Sequence, residues 1–190
     1  MADVDASGGA LALLVSGPPA SGKSTLAREL AGRLGACLLD LDVVTGPLTG
    51  VVGRLVGTGD LDSPALAGEV RAARYECLLA AAADNLRTGT PVVLVAPFSA
   101  EREDPVRWAA VCERLIGAGG RPRLVWLRLP PEELLRRLRA RGAERDVAKL
   151  ADPAGFLARH PVTPPAVEHV EVDAGEDLAR QVSGLLAATS

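Results

Sequence analysis

Aromatic side chains are scarce: two Trp, one Tyr and two Phe make up 3% of this 190-residue chain. So few rings argue against a stacking channel for nucleic-acid strands. No charge sign dominates either, and a net charge of -3 with a pI near 5.5 gives no general attraction to nucleic acid or to an anionic membrane. The three cysteines, Cys37, Cys77 and Cys112, are far apart and lack CxxC spacing. A disulfide framework and a zinc site are therefore unsupported, and the thiols read as small hydrophobes. No apolar run reaches bilayer-spanning length, and residues 1–9 are acidic and small rather than basic then apolar, so the expectation is a cytoplasmic protein with no membrane partner. Internal repeats and low-complexity tails are missing as well, which leaves no sign of a second domain.

What is present is a 48% hydrophobic composition, ample for one core. Residues 1–9 read as a flexible lead and 10–190 as a single domain. Within it the strongest signal is Gly17, Pro18, Pro19, Ala20, Ser21, Gly22, Lys23, Ser24 and Thr25, which matches the Walker A pattern of a phosphate-binding loop. An apolar run, Ala10 to Ser16, precedes it as a buried strand, and Thr25 to Leu34 follows with helical spacing. Such a loop turns backbone N–H groups inward around a polyphosphate, and glycines allow the close approach. Lys23 is expected on the β- and γ-phosphates, Ser24 on Mg²⁺, and Thr25 at a cap or a phosphate, above the positive end of the helix dipole. ATP or GTP is thus the expected ligand.

After Gly35 the chain resumes as a strand, Ala36 to Leu41, ending in Asp40 and Asp42. If the extended conformation persists, both carboxylates project from one face at the sheet edge where α/β folds place ligands. One would order the metal's water and the other, Asp42 by preference, would take a proton from an acceptor hydroxyl. Residues 43–62 look too rich in Gly and Pro for a regular helix and read as a substrate-facing loop. Ser63 and Pro64 open a helix running to about Arg87, carrying Arg71, Arg74 and Tyr75 within about one turn. These three are candidates for the acceptor; a solvated charged face is the competing account of the arginines.

Pro91 to Ala96 reads as the third strand, and it ends in Ala96 and Pro97 where many phosphate-loop enzymes carry a Walker B Asp. Metal ordering therefore falls to Ser24, Asp40 and Asp42. Phe98, Ser99, Glu101 and Arg102 follow, either lining the site or forming an exposed cap of the helix that holds Trp108 to Ile116. Gly117 to Pro122 reads as a loop, Arg123 to Leu129 as the fourth strand, and Glu132 to Arg145 as an arginine-dense helix. Arg141 and Arg145, flanking Gly142, suit a hinged lid spanning about 140–165 and reaching the transferring phosphate. Arg136, Arg137 and Arg139 read instead as a solvated face with Glu132–Arg136 and Glu133–Arg137 pairs. His160 has no partner pattern. Val167 to Val172 reads as an edge strand, and the turn at Asp173, Ala174 and Gly175 would border the nucleotide base.

The phosphate loop, the Asp-Leu-Asp at the second strand's end and the arginine helix after the fourth strand together resemble the small P-loop kinases. The pattern is similar to the bacterial AAA-type ATP-binding group that includes shikimate-, gluconate- and chloramphenicol-phosphotransferase-like enzymes. That resemblance implies an α/β P-loop NTPase fold, a five-stranded parallel sheet of order 2-3-1-4-5 flanked by helices with an Arg-rich lid. It also implies γ-phosphoryl transfer from ATP with Mg²⁺ to a small-molecule hydroxyl. In such kinases the second-strand carboxylates, here Asp40 and Asp42, act as base and magnesium organisers, and lid arginines, here Arg141 and Arg145, contact the phosphates. The alternative from another class is a nucleotide-binding regulatory protein with little phosphotransfer.

Overall fold

The computed structural model describes residues 8–57, 69–143, 146–159 and 162–189. Its centre is a five-stranded parallel sheet of order β2-β3-β1-β4-β5, formed by β1 (Ala10–Ser16), β2 (Cys37–Asp40), β3 (Val92–Val95), β4 (Gly120–Arg128) and β5 (Val170–Asp173). β1 pairs with β3 on one edge and β4 on the other, and helices cover both of its faces, which is why its apolar run is continuous. Alternation then sorts the side chains. Ala12 and Leu14 point to one core, with Leu78, Ala82 and Leu86 of helix α3 (Glu69–Arg87) and Leu115 of α5 (Pro105–Gly117). Leu13 and Val15 point to the other, with Leu26 and Leu30 of α1 (Lys23–Leu34), Leu134 and Leu138 of α6 (Pro131–Arg141), and Leu185 of α9 (Leu178–Thr189). The alanines of α3 let that helix sit close on the sheet, with Ala82 and Ala83 buried.

Two strand starts differ from expectation by three residues. β4 begins at Gly120, because the seven residues Ala10 to Ser16 pair with Gly120 to Trp126 and so extend the strand into the Gly-rich stretch. Pro122 is tolerated there since β5 pairs with β4 only from Val125 onward, so that among the described residues no strand pairs with that edge at Pro122. β5 itself spans Val170–Asp173, later than the Val-rich run suggested.

The larger correction is α2 (Leu41–Leu55), a helix with Pro47 inside it, where residues 43–62 read as a broken loop. Pro47 removes one ladder bond and Gly46, Gly50 and Gly53 weaken propensity. Packing and local hydrogen bonds override that: Asp40 caps the start by accepting from the Asp42 N–H at 3.0 Å, and Thr45 and Thr49 donate to the carbonyls of Leu41 and Thr45. Leu41, Thr45, Thr49 and Gly53 form its buried face. Residues 58–62, and Ser63 with Pro64 of the expected helix start, lie outside the described residues, as do residues 1–7. Two short helices, α4 (Ser99–Glu103) and the start of α5, replace the expected single one, with Asp104 accepting from the N–H groups of Val106 and Arg107. The lid stretch holds α7 (Val147–Ala151) and α8 (Pro153–Arg159), with Phe156 buried in the second of the two cores; Arg145 and His160 lie outside the described residues.

Candidate active site

Gly17 ends β1 at φ +153°, and a Cβ there would come within 3.0 Å of Leu127 and of Ser21 Oγ. Only glycine fits that corner. Gly22, at φ +95°, starts α1 with no side-chain cap and no acid in the first turn, so the positive end of the helix dipole has no side-chain anion of its own helix on it. Lys23 folds back over the loop and donates to the carbonyls of Gly17 at 3.0 Å and Pro18 at 2.7 Å. Ser21 Oγ is buried and takes no hydrogen bond among the described residues, a polar atom held inside a concave loop. Ser16, at the strand's end, donates to the Pro97 carbonyl at 2.7 Å and ties β1 to β3 where the Walker B acid is missing.

The two second-strand carboxylates are not on one extended face. The strand stops at Asp40 and Asp42 enters the first turn of α2, because Asp40 caps that helix. They are nonetheless both tied into the site. Ser24 Oγ donates to Asp40 Oδ2 at 2.8 Å, joining the phosphate loop to the end of β2. Asp42 accepts from Arg74 at 2.6 Å, and Arg74 Nε donates to Thr45 Oγ1 at 2.8 Å.

Arg71 lies with its guanidinium carbon 4.4 Å from the Tyr75 ring centre and contacts Glu101 at 3.4 Å. The Tyr75 hydroxyl accepts the Phe98 N–H at 2.9 Å, holding Phe98 at φ +45°. Burial first, then the Glu101 carboxylate, pushes the Tyr75 phenol up to about 12, so it stays neutral and is no base at physiological pH. Arg102 is buried and committed elsewhere: it donates to the Thr163 carbonyl at 2.9 Å and stacks 4.7 Å over the Trp126 ring.

Among the lid arginines, Arg141 is bound to Asp146, which is fully buried and also contacts Lys149 at 3.2 Å. Burial alone would raise the Asp146 carboxyl, yet Arg141 and Lys149 outweigh it and hold it below its usual range. Arg137, read from sequence as solvated, instead donates to Ala174 O at 2.7 Å and Ser21 O at 3.3 Å while pairing with Glu133. It lines a cleft of about 280 Å³ with Gly22, Thr25, Ala174 and Gln181. The signal lay in its position beside Leu134 and Leu138, the buried stripe of α6, whereas Arg136 points away and is 70% exposed.

The model of the AAA domain family matches residues 13–160, most of the chain. The chain belongs to the AAA domain family. Solved structures share the fold of this AAA domain. A candidate kinase of Chloroflexus aurantiacus J-10-fl is 21% identical with a TM-score of 0.67, covering 97% of this chain and 100% of its own. The Mycobacterium tuberculosis APS kinase, solved with AMPPNP and APS, is 19% identical with a TM-score of 0.64, covering 95% and 97%. A Sinorhizobium meliloti gluconokinase is 21% identical with a TM-score of 0.53, covering 95% and 93%. No curated protein matches the chain in sequence. The domain thus has a P-loop nucleotide-binding fold whose structural neighbours include small-molecule kinases. Among its described residues no helix is long and apolar enough to cross a membrane.

Proposed function

We propose that this protein is an ATP- and Mg²⁺-dependent kinase that transfers the γ-phosphoryl group to a hydroxyl of a small molecule. The observation that carries the reading is the 2.8 Å bond from Ser24 to Asp40, which joins the end of β2, two residues before Asp42, to the phosphate loop. A protein that only bound nucleotide would need no carboxylate pair there.

The uncapped start of α1, the glycine corner at Gly17 and the orphaned Ser21 hydroxyl fit a polyphosphate. Lys23 would exchange the carbonyls of Gly17 and Pro18 for phosphate oxygens. Ser24 and Asp40, a hydroxyl and a carboxylate in contact, suit a hard cation that takes oxygen ligands and keeps several waters. These two, with the phosphate oxygens, are the Mg²⁺ ligands of this reading. Bound there, the ion would neutralise charge on the phosphate oxygens.

Asp42 is 70% exposed and hydrogen-bonded through one oxygen to Arg74, which orients it toward an acceptor. It would accept the hydroxyl proton as the acceptor oxygen bonds to the γ-phosphorus and the bond to the bridging oxygen of ADP breaks. Arg141 and Arg145 remain the proposed lid cations; Arg141 must leave Asp146 to reach the phosphates.

The test is ADP release from ATP and Mg²⁺ across hydroxylated metabolites, nucleosides and antibiotics, with Asp42→Asn alongside. Acceptor-dependent release should fall by about 10²–10⁴-fold in the variant, with nucleotide binding retained. Tight ATP binding with no acceptor-stimulated release across the panel would overturn the kinase reading in favour of a nucleotide-gated binding protein.

A further inference from the structure

Beside Asp42, helix α3 carries two arginines three residues apart, each facing a carboxylate from another element: Arg74 with Asp42 and Arg71 with Glu101. The two pairs are built differently. Arg74 is 16% exposed and fastened by bonds of 2.6 Å to Asp42 and 2.8 Å to Thr45. Arg71 is 40% exposed and rests on the Tyr75 ring, and its polar contacts are long, 3.4 Å to Glu101 and 3.5 Å to Ser99. Glu101 is 11% exposed, although its contact with Arg71 is well beyond the roughly 2.7–2.9 Å of a full charge-assisted bond. A nearly buried carboxylate and a stacked, half-open guanidinium thus face each other without closing. Tyr75, neutral and tied to Phe98, adds a rigid floor and no charge.

We propose, resting on the kinase reading above, that Arg71 and Glu101 form a subsite for a zwitterionic acceptor, which carries a protonated amine and a carboxylate besides the hydroxyl that is phosphorylated. The physical reason is charge balance. A hydroxy acid would engage Arg71 and leave Glu101 buried without a cation; an amino alcohol would engage Glu101 and strand Arg71. The first is the costlier, because Glu101 is largely desolvated, whereas Arg71 is 40% exposed and keeps part of its hydration. A zwitterion separates the pair and gives each member a better partner than it had. Arg71 and Arg74 lie on one face of α3 about one turn apart, so a molecule held at Arg71 and Glu101 extends its hydroxyl toward Asp42. Stacking on Tyr75 keeps the guanidinium plane oriented, which lowers the entropy lost on binding.

The experiment uses the full chain with ATP and Mg²⁺ and measures ADP release for matched acceptors: serine, threonine, homoserine and hydroxyproline, the hydroxy acids lacking the amine, and the amino alcohols lacking the carboxylate. At least one amino acid should exceed both of its truncated analogues by tenfold or more in kcat/KM. Glu101→Gln should reduce that preference over the hydroxy acid, and Arg71→Gln the preference over the amino alcohol. The reversed pair Arg71→Glu with Glu101→Arg keeps an ion pair should a single variant fold poorly, and it should recover part of the zwitterion turnover. Asp42-dependent turnover of a hydroxy acid, amino alcohol or polyol at rates equal to or above the zwitterions overturns the subsite and leaves the kinase reading standing. Nucleotide binding with no stimulation by any acceptor, including the wider panel above, overturns both.

Discussion

Arg137 is the residue whose role changes most between sequence and structure. Its guanidinium joins the phosphate loop at Ser21 to the β5–α9 turn at Ala174, and Glu133 holds it from behind. Loss of those two carbonyl contacts should loosen the wall of the cleft without opening a core. Arg137→Ala is therefore expected to weaken binding of a non-hydrolysable ATP analogue by about tenfold, roughly 1.4 kcal/mol, with thermal stability nearly unchanged. Titration calorimetry beside thermal unfolding checks both halves. Tyr75 is a structural counterpart. Its hydroxyl is the acceptor for the N–H of Phe98, a fully buried residue at positive φ. Tyr75→Phe leaves that N–H without its partner and should cost about 1–3 kcal/mol in urea unfolding. The Glu133–Arg137 pair was legible from helical spacing, but the long-range contacts were not: Tyr75 and Phe98 are 23 residues apart, and Arg137 and Ser21 are 116 apart. By contrast Lys23 and Ser24 were legible, because the whole motif that sets their geometry is local in the chain.

At the scale of elements, α2 is the instructive case. Local propensity argues against a helix through Gly46, Pro47, Gly50 and Gly53, yet the Asp40 cap and the face formed by Leu41, Thr45 and Thr49 hold one. A helix sustained by packing against its own poor propensity is a place where propensity can be added. Gly50 has ordinary space around it, the nearest atom to an added Cβ being an Arg54 guanidinium nitrogen at 3.8 Å. Gly50→Ala should raise stability by about 0.5–1 kcal/mol, read as a higher midpoint in thermal unfolding. An unchanged or lower midpoint would mean that the helix is not held at that turn. The strands were easier to find. β1 and β3 are apolar throughout because each is buried on both faces, and that pattern is visible without coordinates. Their ends were harder, since pairing with β1 alone carries β4 back to Gly120.

Across the whole molecule, two apolar layers clamp the sheet and charge is arranged at the rim. Arg136 and Arg137 bring the Glu133 carboxyl down to about 2, and Arg141 and Lys149 hold Asp146 below its usual range against the effect of burial. A carboxylate whose pKa is depressed by folding contributes stability that is complete above its unfolded pKa and is lost as pH falls through the folded value. For Glu133 that window runs from about 4.5 down to about 2. Thermal midpoints should therefore fall on acidification below the usual carboxylate range, and Asp146→Asn should lower the midpoint by several degrees at neutral pH while the gap to wild type narrows as the pH falls below that range. A gap independent of pH would mean that the Arg141–Asp146–Lys149 cluster does not act through charge.

The sequence by itself determined the phosphate loop, the buried strand before it, the α/β alternation that the family resemblance turns into a strand order, and the presence of Asp40 and Asp42 around the end of β2. These depend on short-range spacing and on hydrophobic period, which are properties of contiguous residues. Only the tertiary structure decided that Asp40 caps α2 while meeting Ser24, that Arg137 belongs to the phosphate loop and Arg141 to Asp146, and that Arg102 is spent on Trp126 and Thr163. An arginine carries its charge at the end of a long flexible stem, so its partner is set by which elements the fold brings within reach, and no spacing along the chain encodes that.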